Sequence, residues 1–149
     1  MISIKTPEEI KIMAESGKIL ARIMKELERQ VRPGITTREI DKAAEGLVLS
    51  SGAKCSFEGY NGYPACLCAS VNEEVVHAIP SDRALKDGDI ISLDLGVFYK
   101  GYHSDMAITL PVGKISSEAQ KLIKVTKESL EIGIREAKVG RTFGDIGSA

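Results

Sequence analysis

Gly88-Asp-Ile-Ile-Ser-Leu-Asp-Leu-Gly-Val-Phe-Tyr-Lys-Gly-Tyr-His-Ser-Asp-Met-Ala-Ile-Thr-Leu110 decides how this chain is read. Apolar and polar residues alternate on both sides of Lys100-Gly101, the pattern of two half-buried β-strands joined by a tight turn. A two-residue turn there sets Asp94 opposite Ala107 and Gly96 opposite Asp105. The two aspartates are then diagonal neighbours on one face of the ladder, roughly 7–8 Å apart at the backbone. The other face carries Leu93, Leu95, Val97, Met106 and Ile108 and is expected to be a core face. Two carboxylates on a half-buried face repel each other, so one must hold a proton or a cation must sit between them. A divalent metal is the simplest such cation. The alternative is a pair of solvated carboxylates, against which the apolar run Ile90 to Phe98 argues.

Outward from the hairpin, helix signals dominate. Thr6-Pro7-Glu8-Glu9 forms a capping box with proline at the first helical position. Ile10, Met13, Ala14, Gly17, Leu20, Ala21, Met24 and Leu27 then recur at helical spacing, to about Gln30. Thr36-Thr37-Arg38-Glu39 opens a second helix, with Ile40, Ala43, Ala44, Leu47 and Val48 on its apolar stripe and a stop near Ser51-Gly52. A Gly/Tyr/Pro-rich loop spans Phe57 to Pro64. A strand-like run from Ala65 to Val71, a turn at Asn72-Glu73-Glu74 and a short strand from Val75 to Ile79 follow. Ser116 or Ser117 caps a third helix, whose apolar positions include Leu122, Val125, Leu130, Ile132 and Ile134. Thr142 or Asp145 opens a fourth. Strands joined by short turns argue for antiparallel pairing, and helices gathered on one face make the class α+β.

The bulk numbers fit one soluble domain: 149 residues, 43% hydrophobic, 28% charged, net charge −1. A near-neutral charge points to no nucleic-acid partner. No apolar stretch approaches the roughly 20 residues needed to cross a bilayer, so no membrane partner is expected. The first residues lack secretory and transit character, which leaves the cytoplasm as the default location. Cys55, Cys66 and Cys68 match no structural zinc spacing. In a reducing compartment they are expected to be small buried side chains rather than a disulfide framework.

Two histidines are present. His77, in Val75-Val76-His77-Ala78-Ile79-Pro80, is either a satisfied core residue or a donor and proton carrier. His103 shares the parity of Asp105, and it is either a ligand or a rim residue beside the turn. No Gly-x-Ser-x-Gly elbow and no phosphate loop occur. A hard, oxygen-liganded metal site is therefore the best chemical reading.

Asp94-Leu95-Gly96 with Asp105 on the returning strand resembles the first half of the metal signature of methionine aminopeptidases. Phe57-Glu58-Gly59-Tyr60-Asn61-Gly62-Tyr63-Pro64, Cys68-Ala69-Ser70-Val71-Asn72-Glu73 and His77-Ala78-Ile79-Pro80 resemble the substrate-side motif of the same family. The opening helix and the turn Val31-Arg32-Pro33-Gly34-Ile35-Thr36 also fit, so the similarity covers essentially the whole chain. Asp105-Met106-Ala107-Ile108-Thr109 differs from the Asp-x-Thr-Arg-Thr typical of Xaa-Pro peptidases and, with the Tyr-rich loop, favours the methionine-specific branch. The start close to the first helix, with no Cys/His-rich extension, is similar to the short bacterial-style enzymes.

The resemblance implies the N-terminal half of a pita-bread fold, with a curved antiparallel sheet and helices on one face. It implies a site for two divalent ions (Co, Mn, Fe, Zn or Mg), bridged by Asp105 and bound bidentately by Asp94. His77 would hydrogen-bond the substrate at the scissile amide, and Phe57, Tyr60, Tyr63 and Cys68 would line the pocket for the methionine side chain. The partner implied is a peptide with N-terminal Met, ribosome-associated nascent chains included. The family's remaining His and two Glu ligands would fall beyond residue 149. The chain alone is therefore expected to be inactive, with an incomplete metal site, and to self-associate through surfaces its other half would cover. An Xaa-Pro peptidase and a non-catalytic pita-bread binding module are the alternatives.

Overall fold

The computed structural model describes residues 3–149, which form two compact units, one running to Lys114 and one from Ile115 to Ala149. The first unit begins with α1 (Pro7–Glu28). Thr6 caps it: the Glu9 N–H donates to Thr6 Oγ1 at 3.2 Å, and the Thr6 N–H donates back to Glu9 Oε2 at 2.7 Å. α2 (Thr37–Ser50) starts with the same reciprocal arrangement between Thr36 and Glu39.

A four-stranded sheet follows, made of β1 (Lys54–Cys55), β2 (Leu67–Val71), β3 (Ile90–Tyr99) and β4 (Tyr102–Pro111). All pairs are antiparallel, and β3 and β4 meet in the register read from the sequence, Asp94 opposite Ala107 and Gly96 opposite Asp105. The turn between them holds Lys100 and Gly101 at φ of 48° and 89°. Positive φ at both central residues is the twist-matched form of a two-residue hairpin turn.

β4 occupies one edge of β3 over its whole length, so β1 and β2 share the other. Cys55 lies opposite Val97 and Leu67 opposite Leu95. In effect β1 and β2 are one strand, interrupted at the level of Gly96 by an excursion through residues 56–66. Its middle makes a single 3-10 turn, Tyr60–Gly62.

One face of this sheet is covered by the two helices. Leu93, Leu95 and Val97 of β3 are fully buried against Leu20, Ile23, Met24 and Leu27 of α1 and Ile40, Ala44 and Val48 of α2, in one continuous core. The stripe on α1 is rotated from the one expected. Ser16, Ile19 and Ile23 are buried, whereas Ile10, Met13, Ala14 and Ala21 are exposed. The first turns of α1 lie beside the hairpin tip and meet it through polar groups. The Tyr102 hydroxyl donates to Glu9 Oε1 at 2.6 Å, and the Ser16 and Ser104 hydroxyls pair at 2.8 Å. Met106, assigned to the core face, is instead exposed.

Two further expectations are corrected. Val75 to Ile79 is not a strand: Val75 is 85% and Val76 64% exposed, and His77 takes a left-handed φ of 58° that breaks any ladder. One backbone bond, from Ala69 N–H to the Ala78 carbonyl at 3.1 Å, ties this segment to β2. Cys55 and Cys66 are not free thiols but a disulfide, with Cα atoms 5.1 Å apart. The interrupted strand brings its two broken ends together, and that places the cysteines within bonding reach.

The second unit holds α3 (Ser117–Glu136), capped by Ser116, and α4 (Phe143–Ser148), capped by Thr142 with Asp145 reciprocating. Ile146 of α4 packs beside Gly133 of α3. Neither helix buries a residue, and Leu122, Val125, Leu130 and Ile134 are exposed.

Candidate metal and substrate site

Strand alternation turns Asp94 away from the helices, onto the open face of the sheet, and the hairpin register brings Asp105 to the same face. The excursion then folds back over them, because Gly96 lies beneath it. A Cβ at Gly96 would stand 2.7 Å from both Phe57 Cε1 and Ser56 Cβ, so only glycine admits this approach. The result is a cavity of about 660 Å³ lined by Phe57, Tyr60, Tyr63, Cys68, His77, Asp94 and Asp105, together with Asn61, Gly62, Pro64 and Ile79. All seven candidate residues thus share one cavity. His103 does not line it. Its ring packs on Phe98 at 4.6 Å between centroids and its Nδ1 meets Ser56 Oγ at 2.9 Å, a rim position.

The walls are held by polar contacts. The Tyr63 hydroxyl reaches the carbonyl oxygens of Leu67 and Ala78, at 3.1 and 3.2 Å. It thereby links the excursion, β2 and the His77 segment. The Ala78 N–H donates to the buried Ser70 hydroxyl at 3.3 Å. From α2, Asp41 Oδ1 accepts the N–H groups of both Cys66 and Leu67, at 2.9 and 3.1 Å, and pins the point where the excursion rejoins the sheet. Sequence reasoning missed Asp41. A mid-helix aspartate carries no signal of a partner 25 positions away.

The electrostatics are unbalanced. Burial pushes the Asp94 carboxyl above the usual carboxylate range, the Asp105 charge adds to the rise, and His77 offsets part of it. Asp94 Oδ1 is buried and, among the described residues, is the only such side-chain oxygen or nitrogen without a hydrogen-bond partner. Burial also raises the Cys68 thiol. The Tyr63 hydroxyl pulls it back, and Asp94 and Asp105 push it further up. The Tyr63 phenol is raised by burial and by its contact with Cys68.

An orphaned, partly desolvated carboxylate oxygen facing a second carboxylate suits a divalent cation, so the residues present fit a metal. Among the described residues, no group of three or more His, Cys, Asp and Glu side chains is arranged to hold one. The two aspartates by themselves fall short of such a group.

Comparison with known proteins agrees with this chemistry. Residues 11–149 match the profile of metallopeptidase family M24, and the chain belongs to that family. The similarity is to its bacterial-type methionine aminopeptidases. The chain is 51% identical over 149 residues to methionine aminopeptidase 1 of Bacillus subtilis, covering 100% of this chain and 60% of that protein. It is 47% identical over 145 residues to the methionine aminopeptidase of Helicobacter pylori, covering 97% and 57%. The crystal structure of methionine aminopeptidase from Thermotoga maritima superposes with a TM-score of 0.95 at 39% identity, over 98% of this chain and 59% of that one. A prolidase from Pyrococcus furiosus superposes at 0.86 and 26% identity, over 97% and 42%. The α+β fold is accordingly a partial pita-bread fold. The chain spans about 60% of the length of the curated relatives it matches.

Proposed function

We propose that this chain supplies two metal ligands and the side-chain pocket of an enzyme that removes methionine from the N-terminus of peptides, nascent polypeptides in the cytoplasm included. The observation that carries the reading is Asp94 Oδ1, buried without a partner in a cavity it shares with Asp105 and His77. Asp94 and Asp105 would hold the divalent ions, whether Co, Mn, Fe, Zn or Mg. The chemistry such ions supply when bound is Lewis-acid activation of a carbonyl and of water.

The chain's own residues supply the rest. Phe57, Tyr60, Tyr63 and Cys68 offer an apolar, sulfur-containing wall suited to a thioether side chain. The contacts of Tyr63 with Leu67 and Ala78 keep that wall in place. His77, presented by its left-handed backbone, would donate a hydrogen bond to the substrate beside the scissile amide. Exposed Leu122, Val125, Leu130 and Ile134 support a further part of the proposal, that the 149-residue chain self-associates; a clean monomer in sedimentation at high concentration would count against it.

Calorimetric titration of Mn²⁺ or Co²⁺ tests the site. Heat should appear with this chain and vanish with Asp94→Asn and with Asp105→Asn. Equal heats in all three would mean the aspartates form no site. Release of methionine from Met-Ala but not of alanine from Ala-Pro peptides by the whole protein tests the substrate. The reverse outcome would assign the Xaa-Pro activity instead.

A further inference from the structure

The Cys55–Cys66 bond sits where it controls more than its own neighbourhood. It joins the end of β1 to the residue that precedes β2, across the neck of the excursion. The residues between the two cysteines include Phe57, Tyr60, Asn61, Gly62, Tyr63 and Pro64, the whole excursion wall of the cavity. Beyond this bond, few contacts hold the wall to the sheet. The Ser56 N–H donates to the Gly96 carbonyl at 3.0 Å, the Ser56 hydroxyl meets His103 Nδ1 at 2.9 Å, Tyr63 makes the contacts described above, and Asp41 of α2 grips Cys66 and Leu67. Tyr60 is 72% exposed. Asn61 holds a left-handed φ of 48°, and Gly59 and Gly62 hold φ of 80°.

We infer that Cys55 and Cys66 form a reversible thiol–disulfide site that locks the neck of the pocket loop, so that the redox state of this pair sets how firmly the pocket wall is held. The functional meaning of that wall rests on the peptidase reading above; the bond and its mechanical effect do not. Cys66 is buried in the core, while Cys55 packs against it and is only partly buried, so Cys55 is the more accessible of the two to an incoming thiolate. Attack by one thiolate of a dithiol reductant breaks the Cys55–Cys66 bond and expels Cys66 as a thiolate, which takes up a proton. The second thiol of the reductant then displaces Cys55. The reductant leaves as its own disulfide, and the protein has gained two electrons and two protons. Oxidation by a low-molecular-weight disulfide such as glutathione disulfide runs the same exchange backwards. Where the surroundings are kept reducing, the pair rests as thiols and the lock closes only under oxidising load.

The excursion closed by this bond is short, and opening a covalent ring frees it to sample more conformations. Hydrogen exchange on the whole 149-residue chain, read by mass spectrometry, tests the inference in glutathione disulfide and in dithiothreitol. Iodoacetamide labelling should show two further adducts after reduction. Amides of residues 56–65 should then exchange roughly tenfold faster or more, while those of β3 keep their rates. Cys55→Ser should match the reduced form in both reagents, and Cys66→Ser does the same if Cys55→Ser fails to fold. Unchanged loop exchange would overturn the inference. So would equal acceleration in β3, since the bond would then be a general staple. Because the loop rates need neither metal nor peptide, they can succeed where the calorimetry fails, and the two readings fall separately.

Discussion

The two faces of β3 are built on opposite terms. Toward the helices, Leu93, Leu95 and Val97 are fully buried in apolar contact. The one hydroxyl pair between α1 and β4, Ser16 with Ser104, satisfies itself. Toward the cavity, Asp94 keeps an oxygen without a partner, faces a second carboxylate, and sits near a histidine held in a left-handed conformation. One face gives the strand its stability, and the other keeps polar groups whose partners have to come from outside. A period-two strand can do both only because neighbouring side chains point opposite ways.

The helix face should respond most strongly to change. Leu95→Ala leaves a void among α1, α2 and the sheet, with an expected loss of about 2–5 kcal/mol in urea denaturation. A loss below that range would mean the helices close over the gap. Gly96→Ala acts from the other side. Its new methyl meets Phe57 and Ser56, so a cost of about 1–3 kcal/mol is expected, together with displacement of the pocket wall. An unchanged Phe57 environment by NMR would show that the wall yields without strain.

Asp94→Asn should have the opposite sign in the metal-free chain. Removing a buried unpaired charge is expected to leave stability unchanged or raise it by about 1–2 kcal/mol. A clear loss would show that Asp94 has a structural role and that the contrast between the faces is false.

The smallest effect concerns acid. Burial alone would raise Asp89. The Asn72 side chain at 2.8 Å and the Lys86 N–H at 2.8 Å outweigh it and hold the carboxyl below the usual range. A depressed folded-state pKa contributes stability that is full above the ordinary aspartate range and is lost as pH falls through the depressed value. Asp89→Asn should therefore flatten the acid limb of a pH–stability profile measured against the parent chain. Parallel profiles would exclude Asp89 as a source of that limb.

Much of this was legible in the chain itself, for local reasons. Thr6 with Glu9 and Thr36 with Glu39 announce their helices because a capping box is complete within four residues. Lys100-Gly101 announces its hairpin because the turn sets the register, and the register sets Asp94 beside Asp105. The failures are non-local. Val75 and Val76 carry strand propensity, but no neighbouring strand takes up their ladder. Cys55 and Cys66 were judged by compartment, whereas the re-joining of an interrupted strand decided their pairing. The rotated stripe of α1 reflects where the helix meets the hairpin tip, and no helical periodicity encodes that. Of the candidate site, the shared face of Asp94 and Asp105 was readable, because it follows from the hairpin register. Gly96 as the floor under Phe57, and Asp41 as the anchor of the excursion, needed coordinates.

The turn at Lys100-Gly101 also has a consequence in time. Hairpins of this kind zip in roughly 1–10 μs, whereas seating α1 on β4 must join Ser16 to Ser104 across 88 positions of chain. A nascent molecule would therefore hold its two like charges side by side before any helix backs the ladder. Dissolved ions that screen the pair should quicken this earliest event and leave the later docking of α1 almost untouched.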